Sequence, residues 1–122
     1  MKKLFAFISV SLIAAAAMFA EVTVKKLDGG KLEVTFFYEN PRATEVLLAG
    51  DFTSWQAGAL PMTKTDKGFT LTKVFDAGTT LKYKFISDGN WTTDPSAPDL
   101  IDDGFGGKNG LAELDSLVGR KR

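Results

Sequence analysis

Two tryptophans stand where the chain could do chemistry. Trp55 closes the run Gly50-Asp51-Phe52-Thr53-Ser54-Trp55, and Trp91 closes Ser87-Asp88-Gly89-Asn90-Trp91, with Tyr83-Lys84-Phe85 just ahead of the second. Each follows a strand-like run and sits among Gly, Asn, Asp and Ser, which places both at the surface ends of a β-sheet and not in its core. Flat exposed aromatics beside amide and ammonium donors suit carbohydrate. A pyranose ring offers an apolar C–H face to stack and a rim of hydroxyls to hydrogen-bond.

The other chemistries open to a protein are poorly served. The sequence has no histidine and no cysteine, which removes imidazole metal sites, Ser-His-Asp triads, thiol nucleophiles and disulfides. Paired carboxylates remain, and glycoside hydrolysis uses them. Asp51, Asp88 and Asp94 lie in turn contexts, however, where a carboxylate bonding its own backbone accounts for each. Asp99, Asp102 and Asp103 ahead of Gly104 lack the regular ligand spacing and closing Glu of a calcium loop. Gly104-Phe105-Gly106-Gly107 has no following helix and no Lys-Ser/Thr pair, so it is not a phosphate loop. No metal or cofactor is expected.

The elements that must position the tryptophans follow from the pattern of apolar residues. Met1-Lys2-Lys3 and the apolar run Leu4 to Met18 read as a secretory signal peptide, cleaved after Ala20 or, by the small-x-small rule, after Ala17. The run is shorter than the ~20 residues of a spanning helix, so no membrane association is expected once it is removed. The expected organisation is a signal peptide at 1–20, a single β-sandwich domain at 21–118 and a basic tail at 119–122. Without Lys2 and Lys3 the acidic residues outnumber the basic ones by two, a balance that offers nucleic acid and anionic lipid no broad attraction.

Within the domain, Leu32 to Tyr38 alternates as a half-buried strand, and Glu45 to Ala49 is a compact apolar one. Leu60 to Lys64 reads as a short edge strand. Phe69, Leu71, Lys73 and Phe75 share a face. In the next run Leu81, Tyr83 and Phe85 point inward while Lys82, Lys84 and Ile86 point outward. Phe36, Phe69, Phe75 and Phe85 are expected in the core. Asp88-Gly89-Asn90 signals a hairpin leading to Trp91, and Asp94-Pro95-Ser96-Ala97-Pro98 crosses to an acidic, glycine-rich stretch before Leu111 to Leu114 closes the sheet. Roughly six to eight short strands without a sustained helical period predict an all-β, immunoglobulin-like antiparallel β-sandwich of the early-set type.

The ordered motifs Val46 to Trp55, Leu60-Pro61-Met62, Leu81 to Trp91 and Asp94 to Pro98 resemble the family-48 carbohydrate-binding modules, over roughly Leu32 to Leu114. That family includes the glycogen-binding domain of the AMP-activated protein kinase β-subunit and the N-terminal domains of isoamylase-like and branching enzymes. The resemblance implies α-glucan as the ligand, with Trp55 and Trp91 as sugar platforms and Lys84 and Asn109 as hydrogen-bonding partners. It implies Phe105 as an apolar loop residue entering the curve of the glucan. Gly107 departs from the family's pattern, standing where glycogen-binding members carry a sugar-contacting threonine, and the run Asp102 to Gly110 is one residue longer. A free-standing domain of this kind could instead dock on a glucan-active enzyme or envelope partner. Export predicts that the protein isolated from its source has an N-terminus near Val22 or Met18 by mass spectrometry, whereas an intact Met1 would contradict it.

Overall fold

The computed structural model describes residues 19–119. Its strands are β1 (Phe19–Lys26), β2 (Lys31–Glu39), β3 (Val46–Gly50), β4 (Leu60–Pro61), β5 (Thr63–Lys64), β6 (Phe69–Asp76), β7 (Thr80–Ser87), β8 (Asn90–Thr92), β9 (Asp99–Asp102) and β10 (Lys108–Glu113). They form two antiparallel sheets, one in the order β1-β2-β6-β5 and one in the order β4-β3-β7-β10-β9 with β8 also on β7. This is the all-β sandwich that the strand pattern predicts.

Alternation builds the core between the sheets. Leu32, Val34, Phe36 and Tyr38 of β2 are buried, as are Leu81, Tyr83 and Phe85 of β7. Each fully buried side chain of this size stabilises the fold by about 1.5–3 kcal/mol. The aromatics interlock across the two layers: Tyr38 stacks on Phe85 with ring centroids 4.7 Å apart, and Phe36 meets Tyr83 edge-on at 5.5 Å. Phe36, Phe69 and Phe85 lie in the core as expected, while Phe75 is only partly buried against it, with the Lys73 ammonium 5.9 Å from its ring centroid. Phe75 lies on the half of β6 that β5 does not reach, where β2 alone flanks it.

Three elements differ from expectation. The segment Leu60 to Lys64 is not one edge strand: β4 pairs with β3 in one sheet, β5 pairs with β6 in the other, and buried Met62 makes the step between them. Met62 donates its N–H to the Val46 carbonyl at 2.9 Å, which ties the crossing to β3. β9 occupies an acidic stretch expected to be loop, because its backbone pairs with β10 from Asp99 to Asp102. β1 precedes the predicted strands and pairs with β2 along its whole length, burying Ala20, Val22 and Val24.

The boundary expected after Ala20 therefore falls inside β1, and residues 1–18 lie outside the described residues, as does the tail from 120 onward. Among the described residues no helix is long and apolar enough to cross a membrane.

β1 is an outer strand whose inward residues meet the core, so its contribution can be separated by face. Val24→Ala should lower stability by about 2 kcal/mol through lost burial and a residual cavity, while exposed Lys25→Ala should stay within about 0.5 kcal/mol. Urea unfolding of both variants checks this, with equal losses counting against a core role for β1.

Candidate functional site

Alternation along β7 puts Lys84 on the outer face of its sheet while Tyr83 and Phe85 enter the core. Residues in direct register share a face. Lys84 is opposite Ala49 of β3, and Ile86 lies between Leu47 of β3 and Trp91 of β8. Ile86 points outward as predicted but is buried there, so with Ala49 it gives the outer face an apolar floor. Trp91 stands on that floor with 46% of its surface exposed. It belongs to a strand and not to the loop that the turn residues suggested, since β8 is the return arm of the hairpin.

The hairpin turn is Asp88-Gly89, both with positive φ (49° and 84°), the geometry of a two-residue turn that favours Asp-Gly. The Asp88 carboxylate does not bond its own turn. It accepts the N–H groups of Thr44 and Glu45, each at 2.9 Å, and so pins the hairpin to the entry of β3. Beyond Trp91, the Thr93 hydroxyl donates to the Lys108 carbonyl at 2.8 Å. Asp94, 1% exposed, accepts the Tyr83 hydroxyl at 2.5 Å and the Ser96 N–H at 2.8 Å. Burial, and then the Asp94 charge, push the Tyr83 phenol far above its ordinary pKa, so the phenol stays a donor. Asp51 accepts the Lys82 N–H at 3.3 Å. All three carboxylates weighed as possible acids are thus taken up by the fold.

Trp55 reaches the same face from another direction. Ser54 and Trp55 both adopt left-handed backbone (φ 59° and 57°), at a cost of about 1–2 kcal/mol per residue. The buried Thr53 hydroxyl holds this bend. It accepts the Gly50 N–H at 3.0 Å and lies 2.9 Å from the Trp55 carbonyl and 3.1 Å from that of Gly50. Trp55 then opens a 3-10 turn, Trp55–Gly58, with its side chain half-buried.

The third wall is the loop between β9 and β10. Asp103 organises it, its Oδ1 accepting the Phe105 N–H at 2.7 Å and the Gly107 N–H at 3.0 Å while Oδ2 receives Lys84 Nζ at 2.6 Å. The ion pair is well covered, the two side chains being 15% and 9% exposed. The Lys84 hydrogen bond and then the two amides hold the Asp103 carboxyl at about 2, below the usual carboxylate range. Phe105 projects with 94% of its surface exposed. Asn109 is not in the loop: it is the second residue of β10, 8% exposed, with its outer-face partner Ile101 on β9.

Trp55, Lys84, Trp91, Asp103, Phe105 and Asn109 line a single groove of about 440 Å³. Trp55, Lys84, Trp91, Phe105 and Asn109 are the five residues singled out from the sequence. Asp99, Asp102 and Asp103 do not converge, because Asp102 pairs with Lys108 at 2.6 Å and Asp103 with Lys84. Among the described residues no cluster of three potential metal ligands occurs.

A sequence profile for the glycogen recognition site of AMP-activated protein kinase matches residues 32–116. The chain belongs to this family. Over 72 residues it is 40% identical to a 1,4-alpha-glucan branching enzyme of Aquifex aeolicus, a stretch covering 57% of this chain and 11% of that enzyme. Over 54 residues it is 41% identical to the 5'-AMP-activated protein kinase subunit beta-1 of Sus scrofa, covering 44% of this chain and 42% of the subunit. The chain thus spans less than half the length of either relative. An enterobactin esterase of Shigella flexneri shares the fold, with a TM-score of 0.62 and 15% identity over 84% of this chain and 34% of the esterase.

For this member of the glycogen-recognition family, Asp103 is the groove residue that sequence reasoning passed over as a groove-lining residue. An Asp two residues ahead of Phe105 signals a side-chain-to-backbone turn, but nothing local announces a lysine partner 19 positions away. Because its folded-state pKa is lowered, its stabilising contribution is complete above the ordinary value of 3.8 and is lost as pH falls through about 2. The protection of the Phe105 and Gly107 amides relative to an unstructured chain should therefore hold from pH 7 to 4 and fall toward pH 2. Asp103→Asn, whose amide oxygen can still accept both N–H groups, should keep most of that protection and abolish the acid step, whereas an unchanged step in the variant would assign it to another group.

Proposed function

We propose that this protein is a non-catalytic α-glucan-binding module that acts by stacking Trp55 and Trp91 on the apolar faces of glucosyl units. Lys84 donates to ring hydroxyls, Asn109 donates to or accepts from them, and Phe105 enters the concave side of the curved chain. The observation that carries this reading is the groove itself: two tryptophans, an almost fully exposed phenylalanine and a short polar set along one side, in a chain of the glycogen-recognition family. Stacking aromatics with a few convergent polar groups is the general make-up of a sugar site. The non-catalytic reading is supported by the carboxylates of Asp51, Asp88 and Asp94, which serve backbone N–H groups and the Tyr83 phenol.

The similarity to a branching enzyme supports a glucan-active enzyme as partner, and the basic start with its apolar run supports export to a periplasm or beyond. The alternative, docking on protein without sugar, is separated by one assay. Folded protein should be retained on insoluble starch and glycogen and pass through cellulose; failure to bind any of them would leave docking as the better account. Incubation with maltooligosaccharides should release no reducing ends above a heat-treated control.

Trp55→Ala and Trp91→Ala should each weaken glucan binding by about 1–3 kcal/mol. Trp91→Ala should lower the urea midpoint far less than truncation of a core aromatic, because 46% of its surface is exposed. A Trp91→Ala protein that instead unfolds early, with binding lost in proportion, would make that ring structural.

A further inference from the structure

The polar wall of the groove carries a residue that neither the motif pattern nor its spacing assigns to the ligand. Asp103 is 9% exposed in its side chain, lines the groove with Lys84 paired to it, and has its two oxygens in different roles. Oδ1 is taken by the amides of Phe105 and Gly107. Oδ2 has Lys84 Nζ at 2.6 Å. A carboxylate oxygen has room for about two donors and an ammonium carries three N–H groups, so Oδ2 can accept another hydrogen bond and Lys84 can give more.

The absence of a side chain at Gly107 leaves space beside that oxygen. A Cβ at position 107 would sit 2.8 Å from Asp103 Oδ2 and 3.7 Å from Lys84 Nζ. Any side chain there would crowd the carboxylate on the side that faces its lysine, so glycine at 107 and Asp103 form one arrangement.

We propose that Asp103 is a sugar-contacting, specificity-determining residue that acts with Lys84 as an acceptor–donor pair reading two neighbouring hydroxyls of one glucosyl unit. One hydroxyl donates to Oδ2 while the oxygen of its neighbour accepts from Nζ, each bond being charge-assisted. A charged acceptor beside a charged donor matches a vicinal diol, in which every hydroxyl both donates and accepts. The pair is neutral as a unit, which suits an uncharged polymer. The carboxylate also stays ionised across the pH range in which the protein would meet a glucan.

This inference rests on the glucan-binding reading, and its test is built to fail separately. The probes are maltotetraose and its analogues in which O2 or O3 of the internal units is replaced by hydrogen, titrated by calorimetry. Asp103→Asn is the variant: it keeps the shape and can still accept the Phe105 and Gly107 amides, and amide exchange at those residues checks that the loop persists. Asp103→Asn should lower affinity for maltotetraose roughly tenfold. One of the two deoxygenations should cost the wild type a similar factor and cost Asp103→Asn much less, which is the mark of a direct contact in a double-change cycle. Losses that simply multiply, or a variant that binds like wild type, would overturn the proposal and leave Asp103 as a loop anchor only. Wild-type protein that is retained by neither starch nor glycogen would overturn the glucan reading itself, and this inference with it.

Discussion

Side-chain alternation along β7 is the constraint on which the rest of the molecule depends. Its odd positions, Leu81, Tyr83 and Phe85, pack into the core, and its even positions, Lys82 and Lys84, face out. A one-residue slip against β3 or β10 would exchange the two sets, driving an ammonium into the aromatic layer and the aromatics into water. The interlocked rings of Phe36, Tyr38, Tyr83 and Phe85 therefore fix more than stability. They set the register that holds Lys84 opposite Ala49 and Ile86 beside Trp91. Tyr83 extends this control beyond the core, since its hydroxyl holds the buried Asp94 that follows Trp91 in the chain.

The loops around the groove are ordered by a different device. Each irregular segment is closed by one short polar side chain that satisfies backbone groups: Thr53 for the bend at Trp55, Asp88 for the hairpin, Asp103 for the turn that raises Phe105. Loops of this kind cost conformational entropy to order, and a side chain that occupies several backbone donors at once offsets part of that cost. The consecutive left-handed residues Ser54 and Trp55 show the arrangement at its most demanding, because neither is glycine.

Most of the groove was legible before the fold was known because its information is local. Period-two alternation turned Lys84 outward, with the resemblance supplying its role, and Asp-Gly between strands sufficed for the hairpin under Trp91. The resemblance supplied Phe105 and Asn109. What escaped was written in pairing and not in composition. β9 is Asp99-Leu100-Ile101-Asp102, acidic enough to read as loop, and becomes a strand only because β10 lies alongside it. β1 follows directly on the apolar run Leu4 to Met18, and only its pairing to β2 marks it as a strand of the sheet. Met62 changes sheets within a segment that has the look of one strand, a step invisible until both partners are in place. Asp103 read only as one acid of a run without metal-ligand spacing, because its partner is supplied by another strand.

The step at Met62 also bears on how copies of this chain behave toward one another. It ends each sheet on a strand of only two residues, β4 in one and β5 in the other, and the stretch of β6 beyond β5 carries Lys73 and Asp76. Two residues present too little backbone to template an incoming strand, and charges along an edge discourage one further. On the opposite side of the four-stranded sheet, β1 is long enough to recruit a partner. Its Val24 is met by Val118 in a parallel bridge, and Gly119 donates to the Val24 carbonyl at 3.1 Å. The chain thus covers part of the β1 margin with its own backbone, while the aromatic groove lies on the other sheet.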